Sequence, residues 1–281
     1  MIGAAMTLSD AQEEFERIYG AVNEARFGIG ITRGISSMWL QVVKQAGEVA
    51  RAIRKERKDL LLRELPQLFC WYCGFCTKIG LGIEDTVWFY FPLLCPTCYS
   101  ERCICGPHKE VDLRTRPRQK DRNVLKEFGA ANAARRPHTL DDYVEMFDTI
   151  YGDHNEAAHM DSVFLHLMEE LGEVARWIHI VKKANTDTQD QYVKNEMASE
   201  LADVFSWICK LVARANAEYH GFRTYLGRLT KDEVPIALDI RLSELVRTEY
   251  GSGCPECGGA RCSSSCPGWT LGKGLTKTES D

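Results

Sequence analysis

The stretch FLHLMEELGEVARWIHI, residues 164–180, has the apolar spacing of an amphipathic helix and carries three acidic residues within five positions. On a helical wheel at about 100° per residue, the apolar residues form one stripe, and Glu169, Glu170 and Glu173 share an arc on another side. Like charges at spacings of three and four residues repel each other. A solvated helix surface is one explanation for this cluster, and a bound cation is another.

The same helix frame occurs earlier in the chain, where LQVVKQAGEVARAI (40–53) aligns with LHLMEELGEVARWI (165–178). Three further pairs of segments repeat in the same order: TLSDAQEEFERIYGAVNEARF (7–27) with TLDDYVEMFDTIYGDHNEAAH (139–159), RELPQLFCWYC (63–73) with SELADVFSWIC (199–209), and CPTCYSERCIC (95–105) with CPECGGARCSSSC (254–266). Four pairs in one order predict that the chain contains two copies of one unit.

The repeat predicts four consecutive segments: a first unit over 7–106, a basic linker over 107–138, a second unit over 139–268 and a tail over 269–281. Helical periodicity without long β-type alternation predicts an all-α fold, with a helical bundle in each unit followed by a small four-cysteine knuckle. Helices are expected near 35–57, 60–79, 160–183 and 192–216, and in the short segments 83–91 and 241–250. For the first helix, Ser9 and Gln12 predict a capping box, and Asp141 occupies the matching cap position in the second copy.

The composition excludes several classes of protein. The chain has 281 residues, 44% of them hydrophobic and 27% charged, and a net charge of −5. No run of about 20 apolar residues and no signal-like N-terminus occurs, so we expect a cytoplasmic protein with no membrane association. The acidic balance argues against nucleic acid as a partner of the whole surface. Residues 109–136 hold nine Lys/Arg and four Asp/Glu, which is typical of a mobile, solvated connector and, as the alternative, of a phosphate-binding strip.

The helix that follows the acidic stretch favours the cation explanation. ELADVFSWICKLVA (200–213) is apolar nearly all round and should be buried, yet Glu200 and Asp203 lie one turn apart on one of its faces. A buried carboxylate without a counter-charge is costly. Two such groups facing the three acids of the preceding helix predict a site for Mg²⁺ or Mn²⁺, because these ions prefer carboxylate oxygens.

The spacing Glu169-Glu170-x-x-Glu173, then 26 residues, then Glu200-x-x-Asp203 resembles the EExxE…ExxD signature of the MazG-like all-α nucleoside triphosphate pyrophosphohydrolases. The flanking segments HLMEELGEVA and SELADVFSW are also similar to that family. The resemblance covers most of 140–216 and, more weakly, 8–79. It implies cleavage of a (d)NTP substrate to (d)NMP and pyrophosphate, with divalent metal ions neutralising the triphosphate.

The resemblance implies roles for particular residues. The metal ligands would be Glu170, Glu173, Glu200 and Asp203, and Glu169 would be an outer ligand or would orient a water molecule. Either Glu169 or Glu170 would accept the proton of the attacking water. Four further residues are candidates for substrate binding, and each has a plain structural alternative as a packing, snorkelling or fold-stabilising residue: His166, Trp177, Lys210 and Asn155.

The first unit has lost most of this acidic set. The residues at the matching positions are Lys44, Gln45, Glu48, Glu64 and Gln67. Two remaining acids with a lysine nearby can form an ion pair without metal, so we predict that the first unit binds no catalytic metal. Since MazG-like proteins are often dimers, the first unit is expected to act as an internal pseudo-partner, and a further homo-oligomer is possible. Two independent units are the alternative.

The chain contains twelve cysteines, and eight of them form two compact motifs. These eight are Cys95, Cys98, Cys103, Cys105, Cys254, Cys257, Cys262 and Cys266. Four thiolates in a short loop predict a tetrahedral structural zinc site in each knuckle, about two zinc ions per chain, with disulfides as the alternative. Cys70, Cys73 and Cys76 are expected to be buried core residues rather than iron–sulfur ligands.

The sequence thus predicts a Mg²⁺-dependent nucleoside triphosphate pyrophosphohydrolase with one active unit, one degenerate unit and two zinc knuckles. One rival hypothesis is a nucleotide sensor that binds without turnover. The other is a zinc-knuckle protein that binds nucleic acid through the basic linker, and the acidic set argues against it.

Overall fold

The chain folds into α-helices, as the periodicity predicts, and the described residues contain no β-strand. The computed structural model describes residues 6–28, 34–105, 119–155, 158–184, 191–230, 241–263 and 265–266. The helices are α1 (Leu8–Phe27), α2 (Ile35–Arg54), α3 (Lys58–Lys78), α4 (Ile83–Tyr90), α5 (Gln119–Ala131), α6 (Leu140–Asn155), α7 (Met160–Ala184), α8 (Gln191–Thr230) and α9 (Leu242–Tyr250). In chain order, α1–α4 match α6–α9 of the second copy.

The caps of the first helix in each copy differ from those predicted. Thr7 and Asp10 form the capping box of α1, and Thr139 and Asp142 hydrogen-bond in the same way at α6. The prediction of a Ser9–Gln12 box and an Asp141 cap was therefore wrong by two residues. The reason is that Ser9 and Asp141 bond to the fourth helix of their copy instead.

These bonds to the fourth helix occupy the same place in both copies, but the hydroxyl is on the first helix in one copy and on the fourth helix in the other. The Ser9 hydroxyl donates to the Glu84 carboxylate over 2.6 Å, whereas the Ser243 hydroxyl donates to the Asp141 carboxylate. Both copies thus have a hydroxyl–carboxylate hydrogen bond here, although the residue types at the two positions differ between the copies. The bond ties the first and fourth helices of each copy together.

A buried aromatic cluster joins the two copies. Phe205 of α8 lies about 6 Å, between ring centroids, from Phe69 and Tyr72 of α3 and from Tyr143 and Phe147 of α6. The Tyr72 hydroxyl donates to the Leu201 carbonyl over 2.9 Å. One hydrophobic core therefore runs through both halves of the chain, from α3 to α6 and α8.

Each copy extends its fourth helix and its cysteine knuckle onto the other copy. We call residues 95–105 knuckle 1 and residues 254–266 knuckle 2. Helix α4 packs on α8, and α9 packs on α3. The backbone N–H of Cys103 in knuckle 1 donates to the carbonyl of Ile150 in α6 over 2.7 Å, and the N–H of Cys262 in knuckle 2 donates to Ile18 in α1 over 2.8 Å. Because these positions match in the repeat, the exchange is reciprocal.

Part of the predicted linker 107–138 is helical. Helix α5 covers Gln119–Ala131, packs beside α4, and a 3₁₀ turn follows at Ala133–Arg135. The interpretation as a mobile connector therefore does not hold for these residues. Residues 107–118 and the predicted tail 269–281 lie outside the described residues.

No helix among the described residues combines the length and the apolar composition needed to cross a lipid bilayer.

The hydrogen bond between the copies gives a test of the shared core. We expect Tyr72→Phe to lower the free energy of unfolding by about 1–2 kcal/mol, because it removes a buried donor from the Leu201 carbonyl. Urea denaturation followed by circular dichroism measures the change. An unfolding free energy equal to that of the original chain would contradict the assigned bond.

Candidate functional site

Three of the four predicted metal ligands converge in the second half. Carboxylate oxygens of Glu170 and Glu173 on α7 and of Glu200 on α8 all lie within 4.8 Å of one another. We call these three residues the acid cluster. They meet because α7 and α8 pack against each other and present their acidic positions to the same side. The cluster is compact enough for one cation to contact all three side chains.

Glu200 is the buried member of the acid cluster, with 2% of its surface exposed. The indole N–H of Trp177 donates to its carboxylate over 3.3 Å. Trp177 is itself buried and does not line the cleft described below, so its position is that of a group orienting Glu200 rather than one stacking on a nucleobase.

The acid cluster lies in a cleft of about 740 Å³, which we call the acid cleft. Asp203, the fourth predicted ligand, lines the same cleft but is not part of the compact cluster. The volume is within the range of pockets that bind small organic ligands, which is roughly 300–1,000 Å³. The cleft therefore combines a cation-binding carboxylate set with room for a nucleotide-sized molecule.

Glu169, the remaining acid of the motif, does not join the cluster. Its side chain is 69% exposed and accepts from the His166 ring over 2.8 Å. His166 lines the acid cleft and stacks on Trp207 with 4.8 Å between ring centroids. Sequence reasoning missed Trp207, although its position in the repeated segment FCWYC/FSWIC marked it.

Lys210 supplies a cation to the acid cleft. Its ammonium group lies 4.6 Å from the centre of the Trp207 ring. Burial, together with the nearby charge of Arg214, lowers the pKa of Lys210 to about 8. The other predicted substrate residue, Asn155, ends α6, and its side chain lies outside the described residues.

One wall of the acid cleft comes from elsewhere in the chain. The first copy contributes Tyr90, Pro96, Thr97, Cys103 and Cys105, and the predicted linker contributes Arg122 and Leu125 through α5. Arg122 forms an ion pair with Glu196, and both side chains are largely buried. A wall from the first copy is what its expected role as an internal pseudo-partner implies, whereas the contribution of α5 was not predicted. The acid cleft is completed by knuckle 1 because that knuckle docks on α6.

The eight predicted cysteines form two four-thiol clusters, as the spacing indicated. In each cluster the Sγ atoms lie within 4.8 Å of one another, and all of these cysteines are free of disulfides. The Sγ atoms of Cys254 and Cys266 are 3.8 Å apart. This equals the ligand–ligand edge of a zinc tetrahedron with Zn–S bonds of about 2.3 Å, which is roughly 3.8 Å. Both clusters can hold a metal ion, and their geometry is compatible with zinc.

The repeated Ile-Tyr-Gly segment explains how the knuckles dock. The tyrosine after each docking isoleucine also reaches a knuckle: Tyr19 donates its hydroxyl hydrogen to Cys254, and Tyr151 donates to Cys95. Burial raises the pKa of Cys254, but hydrogen bonds from the Cys257 backbone and from Tyr19 outweigh it, so the net pKa is lowered. At knuckle 2, Tyr19 thus favours the thiolate form that binds metal, whereas burial raises the pKa of Cys95 in knuckle 1 to about 11.

The matching positions in the first copy have neutral or cationic partners. The buried Gln45 amide donates to Glu64 over 2.7 Å, and Gln67 donates to Glu249 over 2.9 Å. Glu64 also pairs with Arg63, and Glu48 pairs with Arg51, so the counter-charges are arginines rather than Lys44. These acids have found counter-charges on their own helices.

The three remaining cysteines of the first copy are buried in α3, as predicted. Cys70 is 7% exposed, and Cys73 and Cys76 are fully buried. Burial raises the pKa of all three thiols. They act as small apolar core residues.

In comparisons with known protein families, with curated proteins and with solved structures, the chain matches none of them. The resemblance to the MazG-like family therefore rests on the acidic motif and its flanking segments alone.

The exchange of knuckles gives a paired test of the cysteine clusters. We expect elemental analysis to find about two zinc ions per chain, and about one in Cys98→Ser or in Cys257→Ser. Only Cys98→Ser should weaken the binding of tripolyphosphate with Mn²⁺ in the acid cleft, because knuckle 1 forms its wall. Calorimetry measures this affinity. Equal losses of tripolyphosphate affinity in the two variants would contradict the assignment of knuckle 1 to the wall of the acid cleft.

The pKa of Lys210 predicts a pH dependence. Because its pKa is lowered to about 8, the ammonium is mostly charged at pH 7 and mostly neutral at pH 9. The affinity of the acid cleft for tripolyphosphate should fall up to about tenfold over this interval. In Lys210→Arg the charge persists, so that part of the fall should disappear. Identical pH profiles for both proteins would exclude Lys210 as the group responsible.

Proposed function

We propose that the chain is a Mg²⁺- or Mn²⁺-dependent nucleoside triphosphate pyrophosphohydrolase that converts (d)NTP and water to (d)NMP and pyrophosphate. The observation that carries the proposal is the convergence of Glu170, Glu173 and Glu200 in a cleft large enough for a nucleotide. Supporting it is the match of these residues, with Asp203, to the metal-binding motif of the MazG-like family.

The donor set fits a hard divalent cation. Three carboxylates within 4.8 Å repel one another, and burial of Glu200 strengthens that repulsion. Oxygen-only ligands of this kind suit Mg²⁺ or Mn²⁺ better than softer metals. Bound there, the ion would supply charge neutralisation of the triphosphate and of the departing pyrophosphate.

The side chains of the cleft suggest how the residues divide the work. Of the two candidates for proton acceptor, Glu170 lines the cleft and Glu169 faces outward, which favours Glu170. Lys210 and Arg122 lie where they can contact phosphate oxygens, and the stacked His166 and Trp207 offer a flat surface for a base. In the cleavage, the water oxygen forms a new P–O bond as the P–O bond between the α- and β-phosphates breaks, pyrophosphate leaves, and one water proton passes to the carboxylate.

We further propose that the two copies act as a pseudo-dimer within one chain. The reciprocal bonds Cys103–Ile150 and Cys262–Ile18, together with the shared aromatic core, support this arrangement. The knuckles are proposed to bind structural zinc, since four cysteines leave no open ligand position. A purely sensory role and nucleic-acid binding are the competing hypotheses.

A panel of NTPs and dNTPs with Mg²⁺ tests the proposal. We expect stoichiometric release of pyrophosphate and monophosphate, reduced at least about 100-fold in Glu170→Gln and Asp203→Asn because each removes a carboxylate from the cleft. Coupled phosphate assays and chromatography of the nucleotides measure the products.

The first copy provides the control. Glu48→Gln changes the residue that matches Glu173, but in the half without the acid cluster, so it should keep activity within about twofold. Binding without release of pyrophosphate would support the sensor instead, and failure to bind any nucleotide would refute both hypotheses.

A further inference from the structure

The first half contains a cleft at the position equivalent to the acid cleft. It lies between α1, α2 and α3, is closed on one side by knuckle 2, and has a volume of about 180 Å³. We propose that this first-half cleft is a second ligand site, which binds a nucleoside monophosphate without a divalent ion. The proposal does not depend on the proposed hydrolysis.

The two clefts share three aromatic residues at matching positions of the repeat. Phe15, Tyr19 and Trp71 of the first-half cleft occupy the repeat positions of residues that line the acid cleft. Those counterparts are Phe147, Tyr151 and Trp207. These three aromatic side chains have therefore been kept while the acids have been lost, although Gln41 replaces the His166 that stacks on Trp207.

The charge of the first-half cleft is the opposite of that of the acid cleft. Gln45 and Gln67 replace Glu170 and Asp203, and Lys44 replaces Glu169. The charged residues lining the first-half cleft are Arg26, Lys44 and Glu256. Two cations at an exposed mouth attract a phosphate directly, so no metal ion is needed to offset its charge.

One polar atom of the first-half cleft lacks a partner. Asn23 lines the cleft, and its buried Oδ1 atom has no hydrogen-bond partner among the described residues. A buried acceptor of this kind is expected to receive a donor. Gly74 stands at the position of Lys210 and carries no side chain that could reach this atom; a Cβ atom there would already lie 3.0 Å from Met38 and 3.5 Å from the Asn23 amide nitrogen. The exocyclic amino group of a base would supply the donor.

The volume limits the ligand. About 180 Å³ is a quarter of the acid cleft and leaves little room for a triphosphate. A cavity of about 150 Å³ accepts one benzene ring, so 180 Å³ can hold a base whose phosphate extends to the cationic mouth. The aromatic lining requires a planar ring, Asn23 requires a hydrogen-bond donor, and the two cations require a single anionic group. A nucleoside monophosphate combines all three.

Isothermal titration calorimetry with the ribo- and deoxyribonucleoside monophosphates, in buffer without Mg²⁺ and without chelator so that the knuckles keep their metal, tests the site. We expect one site per chain with a dissociation constant below about 1 mM. Lys44→Glu, which restores the acidic residue of the other copy, and Asn23→Leu should each weaken binding about tenfold or more. Lys55→Glu makes the same charge change on an exposed residue that does not line the cleft and should bind normally.

The outcomes separate the two sites. Binding that persists in Glu170→Gln and is lost in Lys44→Glu assigns it to the first-half cleft. No binding of any monophosphate, or binding unchanged in Lys44→Glu, would overturn the proposal, and Lys44 is exposed enough for this variant to fold. A chain that binds monophosphates in this way but hydrolyses no NTP would refute the proposed hydrolysis and leave this site in place.

Discussion

A backbone hydrogen bond of 2.7 Å, from Cys103 to the Ile150 carbonyl, fixes knuckle 1 against the opposite half of the chain. Its counterpart from Cys262 to Ile18 does the same for knuckle 2. Each knuckle begins only a few residues after the fourth helix of its copy, so docking of the knuckle also places that helix against the other copy. Both clefts are consequently built from two halves, with helices from one copy and a cysteine-rich wall from the other. The geometry of either cleft depends on these two contacts as much as on the helices that carry its polar residues.

The comparison of the two copies separates what stabilises the fold from what supplies the chemistry. Gly-Glu-Val-Ala-Arg, Ile-Tyr-Gly and the cysteines occur in both copies and serve packing and docking. The acids differ. In the second copy three of them converge within 4.8 Å of one another, an arrangement that a bound cation would stabilise. In the first copy an amide and two arginines satisfy the remaining carboxylates within the protein.

Much of this structure follows from the sequence, and the rest does not for identifiable reasons. Helical periodicity and cysteine spacing are local, so the helices, the two four-thiol clusters and the buried Cys73 could be predicted. The convergence of Glu170, Glu173 and Glu200 followed from a short-range motif. The helical wheel places Glu169 in the same arc as Glu170 and Glu173, and only the packing of α7 against its neighbours decides which of these side chains face the cleft. The contributions of Arg122 and the knuckles depend on contacts between residues that are distant in sequence. The caps at Thr7 and Thr139 were missed because neighbouring Ser and Asp residues look equally suitable from sequence alone.

The exchange of knuckles also sets an order of assembly. Knuckle 1 docks on Ile150, which lies nearly fifty residues after Cys103 in the chain. Knuckle 2 docks on Ile18, which lies about 240 residues before Cys262. Contacts of such long sequence separation form late and slowly. Docking of knuckle 2 on Ile18 is therefore expected to be the slower of the two contacts, and the first-half cleft gains its cysteine-rich wall only when that contact forms.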